Sequence, residues 1–161
     1  MPRSHYAWRG RREQEFFAVG GDLRDQQGAF ITNIKSEFAA LFNCSVSNVF
    51  ALPNFSFGLH TLINGLPKGL KYAILDEDYP SLNYPVISRQ LDYFKITVKA
   101  QLEVNIEDCI QKHKADVFLL SVVQYINGLK IDLSFIRYLK SKYPNLIIIG
   151  DATQYLGTEP F

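Results

Sequence analysis

Four short segments carry residues able to do chemistry on a small ligand. The first is Pro53-Asn54-Phe55-Ser56-Phe57-Gly58, where a turn leads into a helix start. Free N–H groups at such an N-terminus, the helix dipole and the Ser56 hydroxyl together suit a phosphate. Asn54 or Ser56 acting only as a helix cap accounts for the same residues. The second is Asp76-Glu77-Asp78-Tyr79-Pro80-Ser81. Tyr79 could stack on a flat ligand, or the segment is an acidic surface turn ahead of a proline. The third is Ser121-Val122-Val123-Gln124-Tyr125-Ile126-Asn127-Gly128. Its polar groups adjoin an apolar run and need partners, although Asn127-Gly128 is also a good turn. The fourth is Gly150-Asp151-Ala152-Thr153-Gln154, which follows the aliphatic run Leu146-Ile147-Ile148-Ile149. An unpaired charge there is costly, so Asp151 requires a cationic or hydrogen-bonding partner. A protonated ring nitrogen would serve, and so would the N–H groups of a following helix. The sequence has neither GxGxxG nor GxxxxGK[ST], so the usual dinucleotide and P-loop fingerprints are missing.

The elements around these segments alternate. Residues 24–42 read as a helix, with Phe30, Ile31, Ile34, Phe38, Leu41 and Phe42 at helical spacing and Asn43 as its stop. Strands are expected at Asn48–Leu52, Lys71–Leu75, Tyr93–Val98, Val117–Ser121 and Leu146–Ile149. Helices are expected between them: Ser56–Asn64, Leu82–Gln90 with Pro85 in its first turn, one capped by Asn105 running to His113, and one capped by Asp132. Apolar strands separated by helices imply βαβ units, hence an α/β fold of three layers (αβα) with a mainly parallel sheet. Ligands collect at the carboxyl ends of the strands in such sheets, where the four segments fall. Residues 1–22 form an N-terminal segment, with Trp8, Phe16 and Phe17 as anchors and Gly20-Gly21 as a break.

Composition narrows the class. The chain has 161 residues, 47% hydrophobic and 20% charged, which suits one globular domain. A net charge of +1 gives no argument for nucleic acid. The run Arg9-Gly10-Arg11-Arg12 is followed at once by Glu13 and Glu15 and reads as a solvated helix face. Cys44 and Cys109 lie far apart, which fits a reducing compartment, and no stretch suits a membrane span or secretory leader. The expected location is therefore cytoplasmic. His5, His60 and His113 have no metal-ligand spacing, and no metal site is expected.

The four segments in their order resemble the class V aminotransferase and cysteine desulfurase family, of fold type I pyridoxal-phosphate enzymes. The resemblance runs from about Ile34 to the C-terminus. Its most specific stretch runs from Ser121-Val122-Val123 through Asn127-Gly128 and Ile131-Asp132-Leu133 to Leu146-Ile147-Ile148-Ile149-Gly150-Asp151-Ala152-Thr153-Gln154. The resemblance implies pyridoxal 5'-phosphate as cofactor and an amino compound as small-molecule substrate. It implies that Asp151 pairs with the pyridinium nitrogen and that Gln154 bonds the phenolic oxygen. Phe55 and Ser56 would hold the phosphate. Tyr79 would stack on one ring face, with Thr153 or Ala152 on the other, and Gln124 or Tyr125 would lie beside the cofactor oxygen. By this reading Asp151 and Tyr79 are the catalytic positions. Tyr79 departs from the histidine common in cysteine desulfurases, and the phosphate turn is bulkier than usual.

In this family the Schiff-base lysine lies roughly twenty residues beyond the Asp-Ala-Thr-Gln segment, and the chain stops at Phe161. Residues 23–161 are therefore expected to be a partial cofactor domain, truncated before that lysine and inactive alone, binding cofactor non-covalently at best. The intact protein is expected to be a homodimer without nucleic-acid or membrane partners. The competing reading is a non-catalytic α/β module for a nucleotide or another phosphorylated ligand. A third is an interaction fragment whose exposed sheet edge drives self-association.

Overall fold

The computed structural model describes residues 3–20 and 23–158. The chain divides into two compact units, Met1–Ala51 and Leu52–Phe161.

The first unit holds α1 (Arg3–Val19), α2 (Leu23–Leu41) and a 3-10 turn (Val46–Asn48). The helical spacing over 24–42 is realised as α2, and Asn43 follows it with a left-handed φ of 48°. The basic run lies on α1, where Arg9 donates to Glu13 at 2.9 Å and Arg12 pairs with Glu15. The Arg12 guanidinium also lies 4.2 Å from the centre of the Phe30 ring of α2. Trp8, Phe16 and Phe17, expected as anchors, are exposed, and α1 buries none of its residues. On α2, Ile31, Ile34, Phe38 and Leu41 are exposed and Ala39 is buried. The run Asn48–Leu52, expected as the first strand, forms none. Phe50 and Leu52 are exposed there, and Pro53 has no N–H with which to extend a ladder.

The second unit holds α3 (Phe55–Gly65), β1 (Tyr72–Leu75), α4 (Pro80–Ser88), β2 (Tyr93–Ile96), α5 (Leu102–His113), β3 (Val117–Ser121), α6 (Leu133–Lys142) and β4 (Ile147–Asp151). The four strands lie in the order β2-β1-β3-β4, and every pairing is parallel. Side-chain alternation divides the core between two faces. Tyr72, Ile74, Val117 and Leu119 pack with Leu59 and Ile63 of α3 and Leu82 and Val86 of α4. Ala73, Leu75, Phe118 and Leu120 pack with Leu102, Ile106 and Ile110 of α5 and Leu139 of α6. The result is the expected three-layer α/β/α arrangement. Each fully buried Leu or Ile contributes roughly 1.5–3 kcal/mol. The inner strands β1 and β3 are buried throughout, whereas Ile147, Ile148 and Ile149 on the edge strand β4 are half-buried.

Two helix starts differ from expectation. Helix α4 begins at Pro80, whose fixed φ suits a first helical position, and this places Pro85 inside the helix. Arg89, at the end of the helix, donates Nη1 to the Pro85 carbonyl at 3.1 Å. Helix α5 begins at Leu102, and Asn105 does not cap it. The Asn105 amide instead donates to the Thr97 carbonyl at 2.9 Å, holding the loop after β2.

The strand order fixes where a ligand can enter. From β1 the chain crosses through α4 to β2 on one side, then returns through α5 to β3 on the other. The connections leaving β1 and β3 diverge, which opens a crevice at their carboxyl ends.

Candidate functional site

The buried polar side chains among the described residues are Asp78, Asn83, Ser121, Gln124 and Asp151. All five gather around the carboxyl ends of β1, β3 and β4. Burying polar groups costs free energy unless they are satisfied, so their concentration at one end of the sheet marks that end as special. A cleft of about 280 Å³ opens there. It is lined from four segments: Asn54, Phe55 and Ser56; Tyr79 and Ser81; Ser121, Val123 and Tyr125; and Asp151, Thr153 and Gln154.

The first wall is the start of α3. Asn54 is its cap, with Oδ1 accepting the Phe57 N–H at 2.9 Å. The cap role thus falls to Asn54 and leaves the Ser56 hydroxyl at the cleft. The first N–H groups of a helix have no partner within it, so those of Phe55 and Ser56 remain available to an anion.

The fourth wall is Asp151, the last residue of β4, paired in register with Ser121 of β3. The side chain is only 7% exposed. Its Oδ1 accepts the Thr153 N–H at 2.9 Å, closing a turn where the sequence suggested the cap of a following helix. Oδ2 has no protein donor, and no Lys or Arg pairs with Asp151 among the described residues. A buried carboxylate with one oxygen left for the cleft suits a cationic hydrogen-bond donor.

Tyr79 stands between these two ends, 44% exposed, at the start of α4. Its ring meets the Tyr125 ring edge-on, with centroids 5.3 Å apart and planes at 80°. The exposed face can take a flat ligand. Thr153 and Gln154 face the cleft from the turn after β4.

Of the site residues expected from sequence, Ala152, the alternative to Thr153, does not line the cleft, and neither does Gln124. Gln124 is 2% exposed and donates Nε2 to the Ser121 carbonyl at 3.2 Å, beneath the turn that Asn127 and Gly128 form. The alternative at this position, Tyr125, lines the cleft instead. Both residues lie past the end of β3, where the chain bends into a turn closed by the Gly128 N–H on the Gln124 carbonyl, and the turn buries Gln124 while Tyr125 lines the cleft.

Sequence reasoning did not single out Asp78. Its carboxylate is 6% exposed, with Oδ1 accepting the Tyr79 N–H at 2.7 Å and Oδ2 accepting the Ser121 N–H at 2.8 Å. Nearby, the Asn83 amide donates to the Leu75 carbonyl at 2.7 Å and Asp76 accepts the Val98 N–H at 2.9 Å. Three acids in four residues announce a polar turn. Which of them folds inward depends on the crevice between β1 and β3.

No family model matches the sequence, and no curated protein does. Solved structures do. A protein assigned as histidinol-phosphate aminotransferase from Erwinia carotovora atroseptica matches with a TM-score of 0.67 at 13% identity, over 80% of this chain and 41% of that one. The histidinol-phosphate aminotransferase of Sinorhizobium meliloti, in complex with pyridoxal-5'-phosphate, matches at 0.65 and 13%, over 75% and 34%. The chain has the fold of part of a fold type I aminotransferase. A protein assigned as an aminotransferase from Burkholderia pseudomallei matches at 0.55 and 12% identity, over 72% of this chain and 36% of that one. The chain thus spans about 41% and 34% of the first two solved relatives.

The residues present fit the cofactor that this fold carries in the Sinorhizobium enzyme. A helix N-terminus suits its phosphate, an exposed aromatic face suits its ring, and an unpartnered carboxylate oxygen suits its ring nitrogen when protonated.

Proposed function

We propose that the chain is part of the cofactor domain of a pyridoxal-phosphate-dependent enzyme acting on an amino acid or amino compound. The observation that carries this reading is the convergence of the α3 N-terminus, Tyr79 and the free oxygen of Asp151 on one cleft. When bound, pyridoxal phosphate supplies an aldehyde for an amino group and an electron-poor ring that accepts the electrons of a carbanion. The chain's residues supply binding and electrostatics. Phe55 and Ser56 hold the phosphate, and Tyr79 covers a ring face. Asp151 keeps a proton on the ring nitrogen, because an adjacent carboxylate favours the charged form. Thr153 lines the cleft beside it, and the Gln154 amide can donate to an oxygen on the ring.

Within this superfamily we place the chain in the class V, cysteine desulfurase-like branch. That placement rests on the order of motifs from Ser121 to Gln154. The solved relatives above are histidinol-phosphate and other aminotransferases rather than class V enzymes, and they support the fold alone. A homodimer of the whole protein is part of the same proposal.

The anion-ready start of α3 would also suit a nucleotide. Thermal-shift titration of the chain with pyridoxal phosphate, pyridoxal, ATP and inorganic phosphate separates the two readings. Stabilisation by pyridoxal phosphate beyond that by pyridoxal or phosphate supports the proposal. Stabilisation by ATP alone overturns it in favour of a nucleotide module.

A further inference from the structure

Asp78 lies where the two inner strands part. The carboxylate is buried, yet both partners that the structure gives it are backbone N–H groups. One belongs to Tyr79, the residue whose ring lines the cleft. The other belongs to Ser121, the last residue of β3 and the register partner of Asp151. A single side chain therefore ties the loop after β1 to the end of β3, across the point where their connections diverge.

We propose that Asp78 is a positioning residue: its buried carboxylate, bonded to the N–H groups of Tyr79 and Ser121, holds the Tyr79 ring at a fixed place over the cleft. The proposal rests on the cofactor reading above for its consequence, but its geometry is independent of any ligand. Without the tether, Tyr79 would be held to the β3 side through the packing of Leu82 and Val86 of α4, further along its own helix, and at the cleft by the edge contact between the Tyr79 and Tyr125 rings. Exposed aromatic contacts of that kind are weak compared with a charge-assisted bond. A loose ring would have to be ordered by the ligand itself, which lowers affinity. The carboxylate is suited to this task because it accepts twice and donates nothing. Asparagine has the same shape but only one acceptor, so one of the two N–H groups would meet an amide N–H₂.

The test has two arms. In the unmodified chain without ligand, amide hydrogen exchange should be slow at both Tyr79 and Ser121, by at least about a hundredfold relative to an unprotected amide. Fast exchange at either overturns the tether. The second arm measures pyridoxal phosphate affinity by equilibrium dialysis for Asp78→Asn, Asp78→Glu, Tyr79→Ala and the double variant Asp78→Asn/Tyr79→Ala. Positioning predicts about tenfold weaker binding for Asp78→Asn, and no further loss when the same change is made on Tyr79→Ala. Asp78→Glu, which keeps the charge but lengthens the arm, should weaken binding as Asp78→Asn does. Equal losses in both backgrounds mean a merely structural role and overturn the proposal, as does unchanged affinity in Asp78→Glu. Should Asp78→Asn fail to fold, Asp78→Glu and the exchange arm still decide. Should the unmodified chain bind no pyridoxal phosphate, the cofactor reading fails and the tether is judged on exchange alone.

Discussion

Replacing Asp151 by asparagine should weaken cofactor binding without weakening the fold. Asparagine matches aspartate in shape and keeps an oxygen for the Thr153 N–H, so the turn after β4 is retained. What disappears is the negative charge of a residue that is 7% exposed and has no cationic partner among the described residues. In the free chain that charge is partly desolvated, with one oxygen on the Thr153 N–H and the other toward the cleft, so losing it relieves a part of the cost of burial. The turn bond loses its charge assistance, a loss of about 1 kcal/mol. The two changes oppose, so the melting temperature of the free Asp151→Asn chain should be equal to or above that of the unmodified chain. With cofactor the sign reverses. A bond from a protonated ring nitrogen to a carboxylate contributes about 1.5–3 kcal/mol, so the dissociation constant should rise roughly 10- to 150-fold. Scanning calorimetry of the free chain and equilibrium dialysis with pyridoxal phosphate measure the two quantities. A variant that melts well below the parent and binds pyridoxal phosphate equally well would refute the reasoning, because Asp151 would then be a structural residue.

Three further outcomes follow from the same structure. Asn54→Ala removes the cap of α3 and should lower stability by about 1 kcal/mol, with weaker pyridoxal phosphate binding but little change for pyridoxal; urea denaturation and dialysis check both. No lysine lines the cleft, and Lys140 and Lys142 are committed elsewhere, to the Pro144 and Leu146 carbonyls and to Glu107. Borohydride treatment of the chain with pyridoxal phosphate should therefore leave no label on a cleft residue in peptide mass analysis, and amino acids should not be turned over. The Ser134 N–H bonded to Asp132 holds that carboxyl below its ordinary range, and the Lys142 ammonium bonded to Glu107 does the same there. Carboxyls depressed in the folded state stabilise it above their unfolded values, and this contribution is lost as pH falls through the folded ones. The melting temperature should thus decline below about pH 4, and Asp132→Asn with Glu107→Gln should make that decline shallower.

Much of this was legible in the sequence because local chemistry decided it. The uninterrupted apolar runs at Val117–Ser121 and Leu146–Ile149 could only be strands in a sheet covered on both sides, and helical spacing placed α2 and α6. Asp132 caps α6 as its position suggested. The run at Asn48–Leu52 misled because apolar composition does not supply a neighbouring strand. Pro85 and Asn105 misled because a helix can start earlier than its best capping residue when packing favours the longer element. At the site, Ser56, Tyr79, Asp151, Thr153 and Gln154 were readable from their places after strands, and they do meet at one cleft. Gln124 and Tyr125 could not be separated, since the choice depends on how the turn after β3 folds. Asp78 was hidden among three acids, and only the divergence of β1 and β3 turns it inward.

The most direct test of the account is a crystal structure of the chain with pyridoxal phosphate. The account predicts the phosphate against the N–H groups of Phe55 and Ser56, the ring against Tyr79, and the ring nitrogen within hydrogen-bond distance of Asp151 Oδ2. A cofactor bound elsewhere on the chain, or with its phosphate turned toward Asp151, would contradict it.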